Sequence, residues 1–188
     1  MRTVIAVLLA TMLSALPSPL RASQSGETGG QRALHDYERT IDRRYSRVRS
    51  ILPDHFEQLL EQRSSLLILD VREPEEFGVS RIPDAILVNP NISQAEFVAR
   101  FGDRLAGKVV VLYCSVGVRS SVLAQRVEQA ARQSYALGVF NLRGGIFAWH
   151  NTGRTLLEPD GSMPVREVHG YDRRWSRFVD FDNYVVVP

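Results

Sequence analysis

Two apolar runs of strand length constrain the fold of this chain more than any other feature. Residues 66–69 and 109–113 are aliphatic throughout apart from one final tyrosine, with no polar residue at alternate positions. Such runs are typical of parallel strands that are buried on both faces. Shorter strands are predicted at residues 48–51, 85–88 and 139–142, with helical patterns between them. Strands that alternate with helices predict an α/β fold with a doubly wound, mostly parallel, five-stranded sheet flanked by helices.

Cys114, the single cysteine of the chain, directly follows the second apolar run. A helical pattern with Leu123 and Val127 on one face begins a few residues later. The thiol is therefore predicted to lie between the carboxyl end of a buried strand and the N-terminus of a helix, where open α/β sheets bind ligands. Loop N–H groups and the positive end of the helix favour an anion there, and they favour thiolate over thiol.

The residues after Cys114 distinguish two roles for it. A lone cysteine at a strand end is commonly a small buried hydrophobic residue. Here Gly117 lets the backbone curl so that its amides converge. Arg119 supplies a positive charge, and Ser120 and Ser121 supply hydroxyl donors and helix caps. We therefore predict a nucleophilic thiolate, activated by the loop dipoles and Arg119 rather than by a histidine base.

Four segments of the chain resemble, in the expected order, the motifs of the rhodanese-type sulfurtransferase family. Residues 114–120 resemble the active-site loop, in which a cysteine begins a six-residue loop that ends here at Arg119. Three other segments are similar to conserved parts of the family. The first conserved segment is matched by LDVRE with EEF at residues 69–77, and the next by RIPDA at residues 81–85. The closing Gly-Gly turn and last helix are matched by NLRGGIFAW at residues 141–149. The resemblance covers about residues 45–155. Ser80, Arg81 and Asp84 depart from the family pattern, which has Gly-His before Ile-Pro and glycine after it.

The resemblance implies a rhodanese-like fold and a sulfurtransferase that needs no cofactor. The Cys114 thiolate would take the outer sulfur of a small anionic donor such as thiosulfate as a persulfide, and a thiol or cyanide would remove it. The substrate-binding residues expected from the loop are Ser115, Val116, Gly117, Val118, Arg119 and Ser120. Arg72 is a further candidate for attracting the anion, and a loop-bracing ion pair with Asp70 is its alternative role.

Two other functions stay open beside sulfur transfer. Cysteine phosphatases and arsenate reductases resemble this loop but carry one more residue between Cys and Arg, because a tetrahedral oxyanion needs a wider cradle. Only four residues separate Cys114 from Arg119, which favours the smaller persulfide. The second alternative is a non-catalytic module that docks a partner or carries sulfur as a protein-bound persulfide.

The N-terminus has the layout of a secretory signal peptide. A short basic start precedes the apolar residues 4–16, and Pro17, Pro19 and Ala22 follow. The apolar run is too short for a comfortable membrane span. We expect cleavage after Ala22 and a periplasmic or secreted protein without stable membrane insertion; an uncleaved anchor is the alternative.

The remaining segments flank the rhodanese-like domain at residues 45–155. Residues 23–44 are predicted to form a polar linker and a helical segment with Leu34, Tyr37 and Ile41 as its contact stripe. Residues 156–188 are predicted to be a C-terminal extension packed on the domain. Three aromatic residues are expected to anchor this extension by packing, or alternatively to form a rim of the pocket: Trp149, Tyr171 and Trp175.

Neither the charge balance nor the histidine spacing favours nucleic-acid or metal binding. Removing residues 1–22 takes away Arg2 and Arg21, which leaves 21 basic and 21 acidic side chains. This balance does not favour nucleic acid as a partner. The four histidines have no ligand spacing, so no metal site is predicted. The fold contains no internal disulfide, because the chain has a single cysteine. We also expect the protein to be a monomer.

Overall fold

The computed structural model describes residues 28–180 and 184–185, so the apolar run and the expected cleavage site lie outside the described residues. Five strands form one sheet in the order β1-β5-β4-β2-β3, and every neighbouring pair is parallel. The strands are β1 (Arg49–Ile51), β2 (Leu66–Asp70), β3 (Ile86–Leu87), β4 (Val109–Tyr113) and β5 (Gly138–Leu142). The predicted α/β fold with a five-stranded sheet is confirmed. Strand β3 is shorter than the sequence pattern predicted.

Within the described residues, six α-helices surround the sheet. They are α1 (Gly29–Arg44), α2 (Pro53–Leu60), α3 (Pro74–Phe77), α4 (Gln94–Phe101), α5 (Val118–Gln133) and α6 (Gly145–Asn151). Helix α4 begins directly after Ser93, because the Ser93 hydroxyl accepts from the Glu96 amide while the Glu96 carboxylate accepts from the Ser93 amide. None of the described helices is both long and apolar enough to cross a lipid bilayer.

The core lies in two layers, one on each face of the sheet. Alternate residues of β4 point to opposite faces, so that Val110 and Leu112 enter one layer while Val111 and Tyr113 enter the other. Helices α4 and α5 cover the first layer, and α1, α2 and α6 cover the second. Because both faces are covered, both apolar runs are buried. Their carboxyl ends lead to the edge of the sheet at which open α/β folds generally bind ligands.

The C-terminal residues return across the second layer. Short strands β6 (Leu156–Leu157) and β7 (Pro164–Val165) pair antiparallel, and β8 (Val168–His169) pairs parallel with β9 (Tyr184–Val185). The Asn151 amide, at the end of α6, donates to the carbonyl oxygen of Phe178 at 2.7 Å, and its oxygen accepts from the Asp180 amide at 3.0 Å. Phe178 is buried in the core. These contacts hold residues 178–180 against the end of α6.

Candidate active site

Cys114 lies where β4 ends, in a loop that leads into α5. Its side chain is buried, and the amide of Gly117 donates to Sγ at 3.2 Å. Gly117 has φ of +105°, and a Cβ there would lie 3.1 Å from Nδ2 of Asn141. Glycine is therefore required at the turn that aims this amide at the sulfur.

The start of α6 donates hydrogen bonds to two carbonyl groups of the active-site loop. The amides of Ile146 and Phe147 donate to the carbonyl oxygens of Cys114 and Ser115 at 2.9 and 3.1 Å. A trans peptide unit points its N–H opposite to its C=O, so this contact turns the following loop amides away from α6. Gly145, with φ of +59°, allows the approach, because a Cβ there would lie 2.3 Å from the Cys114 oxygen.

A second hydrogen-bonded pair supports the helix side of the loop. Ser120 is fully buried, and its hydroxyl donates to the side-chain oxygen of Asn141 at 2.6 Å. The Ser121 hydroxyl donates to the carbonyl oxygen of Gly117 at 2.7 Å. These bonds fix the first turn of α5, and a hydrogen bond from the Ser120 amide acts to lower the pKa of the Cys114 thiol.

Arg119 is held by a carboxylate that the sequence analysis did not single out. Its guanidinium forms two hydrogen bonds with Glu76, at 2.7 and 2.9 Å, and one with the Ser115 hydroxyl at 2.9 Å. Ser115 in turn donates to Glu76 at 2.6 Å. The Glu76 side chain is 1% exposed, and a second carboxylate, Glu73, lies 3.5 Å from the guanidinium. Arg119 therefore keeps a fixed position beside the loop, with its charge largely compensated.

The loop lowers the pKa of the Cys114 thiol. Burial acts to raise this pKa, but the Arg119 charge and hydrogen bonds from the amides of Ser120 and Gly117 act in the opposite direction, and the net shift is downward. Fixed donors that point at the sulfur stabilise the thiolate. The arrangement therefore suits a nucleophilic thiol.

We expect the alkylation rate of Cys114 to reach its plateau below the pH of about 8.5 that is usual for a free cysteine. Arg119→Ala should move the plateau to higher pH, because a positive charge beside the thiolate is lost. The rate of iodoacetamide labelling measured against pH checks both statements. Arg132→Ala, at the other end of α5, is the control and should leave the profile unchanged. Labelling of the wild type only after denaturation would contradict the expectation.

A cavity of about 180 Å³ opens over Cys114. Five loop residues and three aromatic residues line it: Cys114, Ser115, Val116, Val118, Arg119, Tyr37, Tyr171 and Trp175. The structure thus brings together most of the loop residues predicted from the sequence. Gly117 and Ser120, also predicted as binding residues, are not among the residues that line the cavity.

The structure places Arg72 outside this cavity. Its side chain is fully buried, and its guanidinium bonds to Asp70 at 2.7 and 3.0 Å and to the carbonyl oxygen of Ser80 at 2.6 Å. Burial acts to lower the pKa of Arg72, but the carboxylate of Asp70 raises it more. These contacts are those of the loop-bracing ion pair, the alternative to an anion-binding role.

The three predicted aromatic anchors divide between the two roles that the sequence left open. Trp149 is buried against Phe56, with ring centres 5.4 Å apart, and acts as a packing anchor. Tyr171 and Trp175 line the cavity. Tyr37 of α1 completes the rim and meets the ring of Trp175 edge-on, with centres 5.3 Å apart. Tyr37 was predicted only as part of a packing stripe, and its helical spacing carried no signal for a site.

Comparisons with known proteins agree with this geometry. Residues 52–152 match the family described as the rhodanese-like domain. A sulfurtransferase from Allochromatium vinosum is 32% identical over 114 residues, which are 61% of this chain and 99% of that protein. Two solved structures, each with a TM-score of 0.50, have the same fold. They are a thiosulfate sulfurtransferase from Pseudomonas aeruginosa (21% identical, 67% of this chain and 23% of that chain) and an As-Sb reductase from Leishmania major (22% identical, 62% and 92%).

Proposed function

Because this chain belongs to the rhodanese-like domain family, we propose that it is a sulfurtransferase working through a persulfide on Cys114. It moves a sulfane sulfur from a donor such as thiosulfate to a thiophilic acceptor. The observation that carries the proposal is the Gly117 amide 3.2 Å from Sγ, in a loop that lowers the pKa of the thiol. Such a loop stabilises a single negative charge on sulfur.

In the first step the Cys114 thiolate attacks the outer sulfur of thiosulfate. A sulfur–sulfur bond forms to Sγ, the sulfur–sulfur bond of the donor breaks, and sulfite leaves with the bonding electron pair. The negative charge then rests on the outer sulfur of the persulfide. Loop amides and the fixed Arg119 guanidinium are arranged to stabilise that charge.

In the second step an acceptor such as cyanide or a thiolate attacks the outer sulfur of the persulfide. With cyanide, a carbon–sulfur bond forms, the persulfide bond breaks and thiocyanate leaves. The bonding pair returns to Sγ, which restores the Cys114 thiolate. The scheme is a two-step exchange in which the donor product leaves before the acceptor reacts.

Loop size favours sulfur over phosphoryl or arsenyl groups at this site. A persulfide extends the cysteine by one atom with one charge, whereas a tetrahedral oxyanion needs donors on several sides. Residues 115–118 alone separate the cysteine from Arg119. Ser115 is already engaged by Glu76 and Arg119, so its hydroxyl is not available as an additional donor to an oxyanion.

Intact-mass measurement tests the proposal. Reduced protein exposed to thiosulfate should gain the mass of one sulfur atom, and cyanide should then remove it with release of thiocyanate. Cys114→Ser should remain unmodified while keeping the wild-type circular dichroism spectrum, because a hydroxyl is similar in size but does not form a persulfide. An unmodified wild type that instead hydrolyses an aryl phosphate through Cys114 would replace this function by phosphatase chemistry. Loading without release to cyanide or small thiols would indicate a sulfur carrier.

We also propose that the protein is exported, with the mature chain beginning near Ser23. The support is the short apolar run followed by Pro17, Pro19 and Ala22. N-terminal sequencing of protein from a fractionated bacterial host tests the proposal. Retention of Met1 in the membrane fraction would contradict it.

A further inference from the structure

A buried histidine of the C-terminal extension holds the backbone of a residue that lines the Cys114 cavity. His169 lies in β8 and is 5% exposed. Its Nδ1 accepts a hydrogen bond from the amide of Tyr171 at 2.9 Å. A ring nitrogen accepts only when it carries no proton, so this contact requires a neutral imidazole with its proton on Nε2. The contact therefore depends on the protonation state of His169.

Tyr171 needs this hydrogen bond because its own backbone conformation is unfavourable. Its φ is +68°, and the amide of Asp172 donates to the carbonyl oxygen of Gly170 at 2.9 Å, which makes a three-residue turn centred on Tyr171. Turns of this kind with a positive φ at the central residue are rare and strained. The bond to His169 helps to hold the turn, and relaxation of the turn would move the tyrosine ring.

The ring of Tyr171 forms the solvent-facing side of the cavity. Tyr171 lines the cavity, and its ring centre lies 5.4 Å from the guanidinium of Arg119, yet the residue is 43% exposed. Trp175, which also lines the cavity, is anchored separately, because its ring packs on the buried Phe178 with centres 5.8 Å apart. Loss of the amide contact at Tyr171 would therefore open one side of the cavity and leave the other in place.

The surroundings of His169 keep it neutral at pH 7. Burial lowers its pKa most strongly, and four charged side chains also act on it: Glu76 and Glu75 of α3, Arg72 after β2 and Arg119 of α5. The carboxylates raise the pKa and the guanidinium groups lower it, with a net downward shift. Helix α6 and strand β9 also pack on β8, and their titratable residues are His150, whose Nε2 lies 2.9 Å from the Arg166 oxygen, and Tyr184, opposite Val168. Protonation of His169 therefore occurs below the usual histidine pKa of about 6.5.

We propose that His169 is a positioning residue that holds Tyr171 in the wall of the Cys114 cavity while the imidazole is neutral and releases it when the imidazole is protonated. The proton binds to Nδ1, which then donates and no longer accepts from the Tyr171 amide. The contact is present above the folded-state pKa of His169 and is lost as pH falls through it.

The consequence concerns access to the reacting sulfur. At neutral pH the cavity over Cys114 is closed on the Tyr171 side and admits small molecules, whereas in acid it opens to bulkier ones. The inference rests on the proposed function only for the sulfur that Cys114 carries, because access to the thiol itself can be measured without sulfur transfer.

A pair of alkylating reagents measures this access. The reduced full-length chain is labelled at Cys114 with iodoacetamide and with N-tert-butyliodoacetamide between about pH 5 and 8, the range in which histidine titrates. Both reagents are uncharged and carry the same electrophile, so the ratio of their rate constants cancels the thiolate fraction. In the wild type, the ratio of the bulky to the small reagent should rise about fivefold to tenfold as pH falls, the range for the loss of one hydrogen bond.

Two substitutions separate the titration of His169 from the contact that it makes. His169→Asn keeps an oxygen that can accept from the amide two residues further on, but it does not titrate. Its ratio should stay at the low neutral-pH value of the wild type throughout. His169→Leu has no acceptor, so its ratio should be high at every pH. His55→Asn, at an exposed histidine of α2, is the matched control and should show the wild-type rise.

Three outcomes would overturn the proposal. They are a wild-type ratio that does not change with pH, a His169→Asn variant that retains the wild-type rise, and equally high ratios at every pH in His169→Asn and His169→Leu, which would mean that the imidazole only fills space. If His169→Leu does not fold, the comparison of His169→Asn with the wild type decides. Sulfur loading of Cys114 is measured separately by mass. A flat ratio in a protein that takes up sulfur would overturn the role of His169 alone, and a rising ratio in a protein that takes up none would overturn only the proposed function.

Discussion

Glu76→Gln is expected to lower the rate of sulfur loading of Cys114 by roughly 100-fold, the cost of a small misplacement of a reacting group. Glu76 touches no reacting atom and acts as a positioning residue. Its buried carboxylate accepts two hydrogen bonds from Arg119 and one from Ser115. A glutamine replaces one of the two carboxylate oxygens by an NH₂ group, which cannot accept a hydrogen bond, and it removes the negative charge, so the guanidinium would leave its place beside the loop.

The same substitution should lower the free energy of unfolding by about 2–3 kcal/mol, because it removes one partner of a largely buried ion pair. Burial acts to raise the pKa of Glu76, but hydrogen bonds and charge from Arg119 hold it below its usual value overall. The stability that this carboxylate contributes is therefore present above its unfolded-state pKa and is lost as pH falls through its folded-state pKa. Urea unfolding should show the largest gap between wild type and variant at neutral pH, and a smaller gap in acid.

Two further variants separate positioning from general destabilisation. Glu75→Gln changes the exposed neighbouring carboxylate and should alter neither rate nor stability. In a double-mutant cycle, Glu76→Gln combined with Arg119→Ala should cost no more in loading rate than Arg119→Ala alone, because Glu76 acts through Arg119. Additive losses in rate would show that Glu76 does not work through the guanidinium.

Gly145→Ala is expected to destabilise the protein by about 3 kcal/mol or more and to remove the low pKa of Cys114. A left-handed conformation costs about 1–2 kcal/mol for a residue with a Cβ, and Gly145 has φ of +59°. Its Cβ would also lie 2.3 Å from the carbonyl oxygen of Cys114 and 2.6 Å from that of Ser115. Both obstacles are backbone atoms, so relief requires the active-site loop to move away from α6.

Gly153→Ala is the control for this prediction. Gly153 has φ of +71°, but nothing lies within 4 Å of a Cβ built there. Its cost should therefore be limited to the conformational penalty. Urea unfolding of both variants, with the pH profile of Cys114 alkylation, measures the difference. Equal destabilisation by the two substitutions would show that the contact between Gly145 and the loop does not constrain the site.

The sequence by itself determined the sheet, the position of Cys114 and the loop that follows it. Strands β2 and β4 can be predicted from the sequence, because an uninterrupted apolar run of this length is typical of a strand that is buried on both faces. The loop can be predicted because its cysteine, glycine and arginine lie within six residues of one another. Residues so close in the chain remain close in space. The predicted fold was confirmed for these reasons.

The tertiary structure decided which distant residues meet the loop. Glu76 reaches Ser115 across 39 positions of the chain, and its pattern in the sequence is that of an ordinary acidic residue in the first turn of a helix. Arg72 was open between two roles, and only its full burial against Asp70 shows the contacts it makes. Tyr37, Tyr171 and Trp175 come from opposite ends of the chain, and they form one wall because α1 and the C-terminal extension pack on the same face of the sheet. Local patterns in the sequence indicate which residues are buried. The residues that each of them contacts depend on how whole helices and strands pack together.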